Sequence, residues 1–290
     1  MTREKPLVSC IITTCNRAGL LPRAIDSALA QTYHPVEIIV VDDASTDDTP
    51  EVMRGYLDRH ANIRYLRQER RSGACAARNA GIQAAQGEFV AGLDDDDEWL
   101  PGRVEKLLAA WSDDLAFVHS DYYRRKGDRL RLHRTPPKLT HAELVRGVNL
   151  AGTQVLTRRE RIIEAGGFDE GLRASQDYDM WLRLLERRPL ARGVGEPLVI
   201  VDASDRTGRI SVDRRKVFSG KFRVYRKNRR HFSRNLRAER LYAIRKVLHP
   251  FPSLRRILWM APRNELLNEL RRWVKGRLTK PGQDKGRGKD

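Results

Sequence analysis

Four aspartates in succession, Asp94, Asp95, Asp96 and Asp97, close the apolar run at residues 88–93. Carboxylates this close repel one another, and a hard divalent cation relieves the repulsion. Oxygen-only ligands favour Mg or Mn, and one or two carboxylates suffice when phosphates complete the shell. Such a cation would neutralise a diphosphate and stabilise it as a leaving group. The competing role is a solvated acidic turn capping the helix that starts near Pro101. A second pair, Asp42 and Asp43, ends the run VEIIVV at residues 36–41. A carboxylate there can accept hydrogen bonds from a ribose or a base N–H, or it can cap a helix. Ser45 and Thr46 are already available for that cap. Asn16 and Arg17, after the run LVSCIIT at residues 7–13, read as a third element of the same edge, or as a helix cap beside a surface charge.

The elements that must hold these groups alternate. Strands are expected at 7–13, 36–41, 62–66 and 88–93. Helices are expected from Asn16 to about residue 29, from Ser45 or Thr46 to about Arg59, and over 72–85, where alanines permit close packing. This βαβαβαβ order means an α/β fold with a mostly parallel sheet. Ligands of such sheets sit beyond the carboxyl ends of strands, and both acidic clusters fall at that edge, which favours the cation role for residues 94–97. Further on, helices are expected at 101–111, 141–146, 160–164 and 177–187, strands at 116–123, 153–157 and 198–201, and a loop at 135–139.

Composition narrows the classes. Of 290 residues, 40% are hydrophobic and 32% charged, which excludes collagen, a disulfide scaffold and wholesale disorder. Three cysteines with no CxxC pair argue for a reducing compartment. No signal peptide is visible, and no apolar run is long enough to span a bilayer. Neither GxGxxG nor GxxxxGK[ST] follows the first strand, which disfavours NAD or FAD and excludes a P-loop. A nucleotidyltransferase would place a Gly/Arg-rich loop and a Lys where Thr14, Cys15 and Asn16 stand.

The net charge of +18 is concentrated at one end. Residues 206–290 hold 27 Lys and Arg against 6 Asp and Glu, a net of +21, and residues 1–205 carry a net of −3. The basic stretch YRKNRRHFSRNLR at 225–237 interleaves aromatics with cations. It reads as a solvated helical extension, as a surface for an anionic membrane with residues 257–260 inserting, or as a nucleic-acid binder. The last is disfavoured because no recognition motif accompanies it.

Five motifs in order carry a resemblance over residues 6–201: VSCIITTCNR at 8–17, VVDDASTD at 40–47, GACAARNAG at 73–81 followed by Gly87-Glu88, LDDDDEWLP at 93–101, and GGFDE at 166–170 followed by DYDMWLR at 177–183. Together they resemble the inverting nucleotide-sugar glycosyltransferases of family 2, with the GT-A fold, a Rossmann-like nucleotide-binding sheet flanked by helices. The resemblance implies that Asp43 bonds the nucleotide base, usually uracil, with Asp42 beside it and Thr13 and Asn16 lining the pocket. It implies that Asp94 and Asp96 match the DxD motif and hold Mn or Mg, that Asp95 faces the ribose or sugar, and that Arg78 sits near the donor. Asp177 matches the catalytic base; its alternative is a helix N-cap, and Asp179 is a weaker substitute. Two positions depart from the pattern: Cys15, where many relatives carry an aromatic, and Gln176, where an acidic residue is frequent. Trp99 and Trp181 could stack on sugars or pack in the core.

The expected layout is a GT-A catalytic domain at 1–205 (donor half about 1–100, acceptor half about 101–205), a basic helical extension at 206–279 and a disordered tail at 280–290. The expected activity moves a hexosyl or N-acetylhexosaminyl group from a UDP-linked donor to a hydroxyl of a glycan or lipid-linked glycan acceptor. It would act in the cytoplasm, at the inner face of a membrane held through residues 206–279. The alternative is an inactive GT-A-like module docking through its basic tail.

Overall fold

The computed structural model describes residues 4–148, 150, 152, 154–204, 213–248, 258 and 261–278. The chain divides into two compact units, Met1–Thr207 and Gly208–Asp290.

The first unit is built on one sheet of ten strands in the order β3-β2-β1-β4-β9-β6-β10-β5, with β7 beside β6 and β8 beside β10. Its first half comprises β1 (Val8–Thr14), β2 (Val36–Asp42), β3 (Ile63–Arg67) and β4 (Phe89–Asp94), all parallel. Every residue of β2 is buried, as a β-branched run covered on both faces requires. The chain steps outward from β1 to β3 and then returns to place β4 on the other side of β1. The strand order therefore reverses at β1, where a ligand crevice opens in this architecture.

Helix α1 (Leu21–Leu29) buries Leu21, Ala24, Ile25 and Ala28, the i, i+3, i+4, i+7 stripe of an amphipathic helix. Helix α2 (Thr49–Leu57) links β2 to β3. Helix α3 (Ala74–Ala84) lies unusually close to the sheet: a Cβ on Gly81 would stand 2.6 Å from Ile11 Cγ2. The small residues of this helix are thus required by the approach.

The second half is mixed. The short β5 (Glu98–Trp99) leads to α4 (Arg103–Ala109), β6 (Leu115–Lys126), β7 (Arg129–His133), β8 (Lys138–Thr140), α5 (His141–Arg146), β9 (Val155–Arg158), α6 (Arg159–Glu164), α7 (Gln176–Arg187) and β10 (Leu190–Asp202). Strand β9 runs antiparallel to both β4 and β6, and β10 runs parallel to β6. The expected α/β architecture, a largely parallel sheet flanked by helices with helices at the C-terminus, is the one that forms.

Several local expectations are corrected. β10 begins at Leu190, well before residue 198, because three register shifts around Gly193 and Pro197 break the alternation that marks a strand. The segment assigned to a loop at 135–139 contributes β8, and β7 was not expected: its Leu130 and Leu132 lie on an exposed ribbon, 50% and 40% accessible. Neither Asn16 nor Ser45 nor Thr46 caps a helix. α1 starts at Leu21 and α2 at Thr49, both without a side-chain cap.

In the second unit, α8 (Arg214–Asn228) is capped by Asp213, whose Oδ1 accepts from the N–H groups of Arg215 and Lys216. A 3₁₀ turn (Arg229–His231), α9 (Arg234–Leu248) and a last helix (Arg263–Leu278) follow. Val224, Phe232, Tyr242 and Ile244 are buried in it. Glu269, 4% exposed, accepts from Lys246 and Arg272 at 2.7 Å each. Among the described residues, no helix is long and apolar enough to cross a membrane. The expectations for residues 257, 259 and 260 and for the tail at 280–290 lie outside the described residues.

Candidate active site

Strand register assembles the edge that the sequence suggested. Thr14 pairs with Asp42 on one side of β1, and Thr13 pairs with Asp94 on the other. Residues drawn from three strands therefore meet at the carboxyl ends flanking the reversal point.

The loops beyond are tied to one another, while Asp47 also holds the start of α2 by accepting from the Thr49 hydroxyl at 2.6 Å. Asn16, in the left-handed region at φ 54°, donates its N–H to Ser45 Oγ at 2.9 Å and accepts from the Thr46 N–H at 2.7 Å. Asp47 accepts from the Ala18 N–H at 2.9 Å. This cross-loop bonding is why the polar residues expected as caps do not act as caps. Asp42 is fully buried and engaged within the protein: Oδ1 accepts from the Ser45 N–H at 2.8 Å and Oδ2 from the Tyr65 hydroxyl at 2.6 Å. Asp43 accepts from the N–H groups of Ser72 (2.6 Å) and Gly73 (2.9 Å), which fixes the turn into α3. Each carboxylate oxygen has two lone pairs, so acceptor capacity remains. Cys15 donates its thiol to the Asp43 carbonyl oxygen at 3.2 Å.

The four aspartates after β4 take different surroundings. Asp97 points inward, accepting from Gln154 Nε2 and from the Asp202 N–H at 2.9 Å each. Burial pushes its carboxyl group well above the usual range, with Asp94 and Asp96 adding to the rise. Asp95, 3% exposed, accepts from Arg17 Nη1 at 2.7 Å, and Asp96 Oδ2 lies 3.4 Å from the same nitrogen. Burial raises the Asp95 carboxyl to about 6, Arg17 opposing the shift. Arg17 is thus a member of the acidic site and not a free surface charge. Only its place beside Asn16 hinted at that. Asp94 keeps a third of its side chain exposed.

Arg78 is the hub of the arrangement. It projects from α3, places Nη2 2.9 Å from Asp94 Oδ1 and Nη1 3.8 Å from Asp177 Oδ1, and lies over the Phe168 ring at 5.6 Å. Its neighbour Asn79 holds the Phe168 backbone. It accepts from the Phe168 N–H at 2.8 Å and donates to the Phe168 carbonyl at 3.0 Å. The motifs at 73–81, 93–101 and 166–170 therefore converge on one guanidinium. Asp177 stands in the first turn of α7, whose N-cap is Ser175 at φ 61°, so Asp177 is not the cap. Its Oδ1 has no hydrogen-bond partner. Desolvation lifts its carboxyl to about 6; Arg78 opposes this and Asp94 adds to it. Asp179 is fully buried on Arg183 at 2.9 Å, which removes it as a substitute.

Gly152, at φ +54°, sits under the gap between the two carboxylates. A Cβ there would lie 3.6 Å from Asp177 Oδ2 and 3.7 Å from Asp94 Oδ2. Gly152 leaves room between Asp94 and Asp177, and the carboxylates of Asp94 and Asp96 are the hard oxygen donors that a divalent cation takes. Trp99 and Trp181 are core residues, 2% and 3% exposed, their indole N–H groups donating to Gln154 Oε1 and the Gly152 carbonyl.

The model of Glycosyl transferase family 2 matches residues 9–173. The chain is 34% identical over 258 residues to WcaA of Escherichia coli (strain K12), a glycosyl transferase assigned by name to colanic acid biosynthesis, covering 84% of this chain and 89% of that protein. It is 30% identical over 190 residues to the Escherichia coli UDP-Glc:alpha-D-GlcNAc-diphosphoundecaprenol beta-1,3-glucosyltransferase WfaP, covering 64% of this chain and 73% of the relative. Among solved structures, the mannosyltransferase PcManGT from Pyrobaculum calidifontis, in complex with GDP-Man and Mn2+, superposes with a TM-score of 0.66 at 18% identity, over 94% of this chain and 81% of that one. S. aureus TarS 1-349 in complex with UDP-GlcNAc superposes with a TM-score of 0.65 at 17% identity, over 92% and 78%. At such identities the two structures share the fold.

Proposed function

This chain belongs to glycosyl transferase family 2, and from that premise we propose that it moves a hexosyl group from a UDP-linked sugar to a hydroxyl of a lipid-linked glycan, with inversion at the anomeric carbon, in the building of a surface polysaccharide. The observation that carries the reading is the meeting of Asp94, Arg78 and Asp177 at the carboxyl edge of the sheet. The names of WcaA and WfaP support the polysaccharide, the UDP donor and the diphosphoundecaprenol-linked acceptor. With a lipid-carried acceptor, the reaction would run at a membrane surface, which we take to be the cytoplasmic face.

Asp43 accepts the base N–H, and Thr13 and Asn16 line the base pocket. Asp95 and Arg78 orient the ribose and the sugar diphosphate. Asp94 and Asp96 would hold Mn or Mg, which when bound supplies positive charge against the departing diphosphate. Asp177 takes the proton of the acceptor hydroxyl as that oxygen bonds to the anomeric carbon. The bond to the diphosphate oxygen breaks with its electron pair leaving on the diphosphate. Attack opposite the leaving group inverts the centre, and no covalent enzyme intermediate forms. A free aspartate titrates near 3.9 and is a weak base; the raised Asp177 carboxyl is better matched to taking a proton near neutral pH.

The test is a thermal-shift screen of the whole protein against UDP, GDP and UDP-sugars, with and without Mn. A Mn-dependent rise with uridine nucleotides that disappears in Asp96→Ala is expected; ligand at a hundred times its Kd stabilises by ~2.7 kcal/mol. No rise with any nucleotide, in protein folded by circular dichroism, would overturn the reading and favour an inactive docking module.

A further inference from the structure

We propose that α8 is a membrane-docking helix, lying on anionic phospholipid through an aromatic row framed by cations. Phe218, Phe222 and Tyr225 stand at i, i+4 and i+7. Their rings stack in sequence with centroids 6.0 and 6.3 Å apart, and Tyr225 continues onto the buried Phe232 at 5.4 Å. Phe222 is 38% exposed. The helix buries a different face, that of Gly220, Val224 and Asn228. At 100° per residue, Arg214 and Lys221 fall on one side of the row and Arg215 and Arg226 on the other, all four exposed. An apolar stripe bordered by basic side chains is the arrangement of a helix lying in the headgroup region, the rings entering the acyl boundary and the cations reaching lipid phosphates.

Charge complementarity names the occupant. Residues 206–290 carry a net of +21, and each Lys or Arg near an anionic leaflet strengthens attachment roughly fivefold. The aromatic row also weighs against nucleic acid. Bases stack on exposed ring faces, and of this row Phe218 and Tyr225 are half-buried and Phe222 is 38% exposed. The proposal does not depend on the donor or acceptor assigned above, since it concerns only the second unit. It adds α8 to the apolar anchor expected at 257–260, of which the described Leu258 is 58% exposed.

The experiment is vesicle flotation of the full chain, with phosphatidylglycerol–phosphatidylcholine vesicles against phosphatidylcholine alone at physiological salt. Three variants are compared: Phe222→Ser, Phe218→Ser with Phe222→Ser, and Arg214, Arg215, Lys221 and Arg226 all changed to Glu. Melting temperature and circular dichroism serve as controls for folding. The wild type is expected to float with the anionic vesicles only. Phe222→Ser should weaken binding about tenfold, the double Ser variant further, and the fourfold Glu variant at least a hundredfold, with melting temperatures close to wild type. The proposal is overturned if the folded wild type does not float with anionic vesicles, or if both Ser variants bind like wild type. Tighter binding to a DNA or RNA oligonucleotide than to the vesicles would also overturn it. None of these results bears on nucleotide binding in the thermal-shift screen, so the two readings fail separately.

Discussion

Arg17 Nη1 stands 2.7 Å from Asp95 Oδ1, joining the loop after β1 to the acidic turn after β4 across 78 residues of sequence. Asp95 is 3% exposed, so without this partner its charge would be stranded. Arg17→Ala should lower stability by about 1.5–3 kcal/mol, the worth of a hydrogen bond to a charged group, and weaken UDP binding about tenfold. Asp95→Asn alone should also destabilise, and the double variant should cost less than the sum, because both changes remove one interaction. Denaturant melts and calorimetric titration with UDP check this. Strict additivity would show that the pair is not coupled.

Asp177 and Asp179 lie two residues apart on α7 but in opposite surroundings. Asp177 keeps 23% of its side chain accessible and faces Arg78 at 3.8 Å without a hydrogen bond to its Oδ1, whereas Asp179 is fully buried on Arg183. Asp177→Asn should reduce kcat by about 10²–10⁴, the range for a lost general base, with UDP affinity and melting temperature near wild type. Asp179→Asn should instead lower the melting temperature. Steady-state rates beside thermal melts separate the two roles, and an active Asp177→Asn enzyme would remove the base assignment.

Gly152 and Gly195 both occupy the left-handed region, at φ +54° and +77°, so alanine at either costs about 1–2 kcal/mol of backbone strain. Only at Gly152 would the methyl group enter the gap between Asp94 and Asp177; nothing lies within 4 Å at Gly195. Gly152→Ala should therefore lose about tenfold or more in kcat/KM, while Gly195→Ala loses similar stability and keeps its rate. Equal activity in the two would mean that the gap is not used.

His119 is 1% exposed in the second half of the sheet, its Nδ1 3.1 Å from Thr135 Oγ1. Burial lowers its pKa to about 4, with Asp121 opposing and Arg103 adding to the shift. The unfolded chain, near 6.5, binds the proton first as pH falls. The neutral native His119 thus contributes stability that is complete above pH 6.5 and is lost towards pH 4, at up to about 1.4 kcal/mol per unit. His119→Asn removes this titration, so the stability gap between wild type and variant should narrow between pH 6.5 and 4. Urea melts across that range check it; parallel curves would contradict the assignment.

Pattern alone determined the alternation of strands and helices through β4, the α/β class, the acidic carboxyl edge and the split between a near-neutral body and a basic end. These follow from short-range physics. Runs such as residues 36–41 can be buried only as central strands, and the period of Leu21, Ala24, Ile25 and Ala28 is that of one helix face. Tertiary structure decided what the polar groups do, because their partners are distant in sequence. Asn16 and Ser45 have the composition of caps, yet bond to each other across loops 29 residues apart. Four adjacent aspartates look equivalent as text, but Asp97 turns to Gln154 and Asp202 while Asp95 turns to Arg17. β10 escaped detection over residues 190–197 because its bulged pairing has no period to read. Arg78 became a hub only because β1 separates β2 from β4, and α3 returns over that reversal to meet Asp94 and Asp177. No local preference of the chain encodes such a meeting.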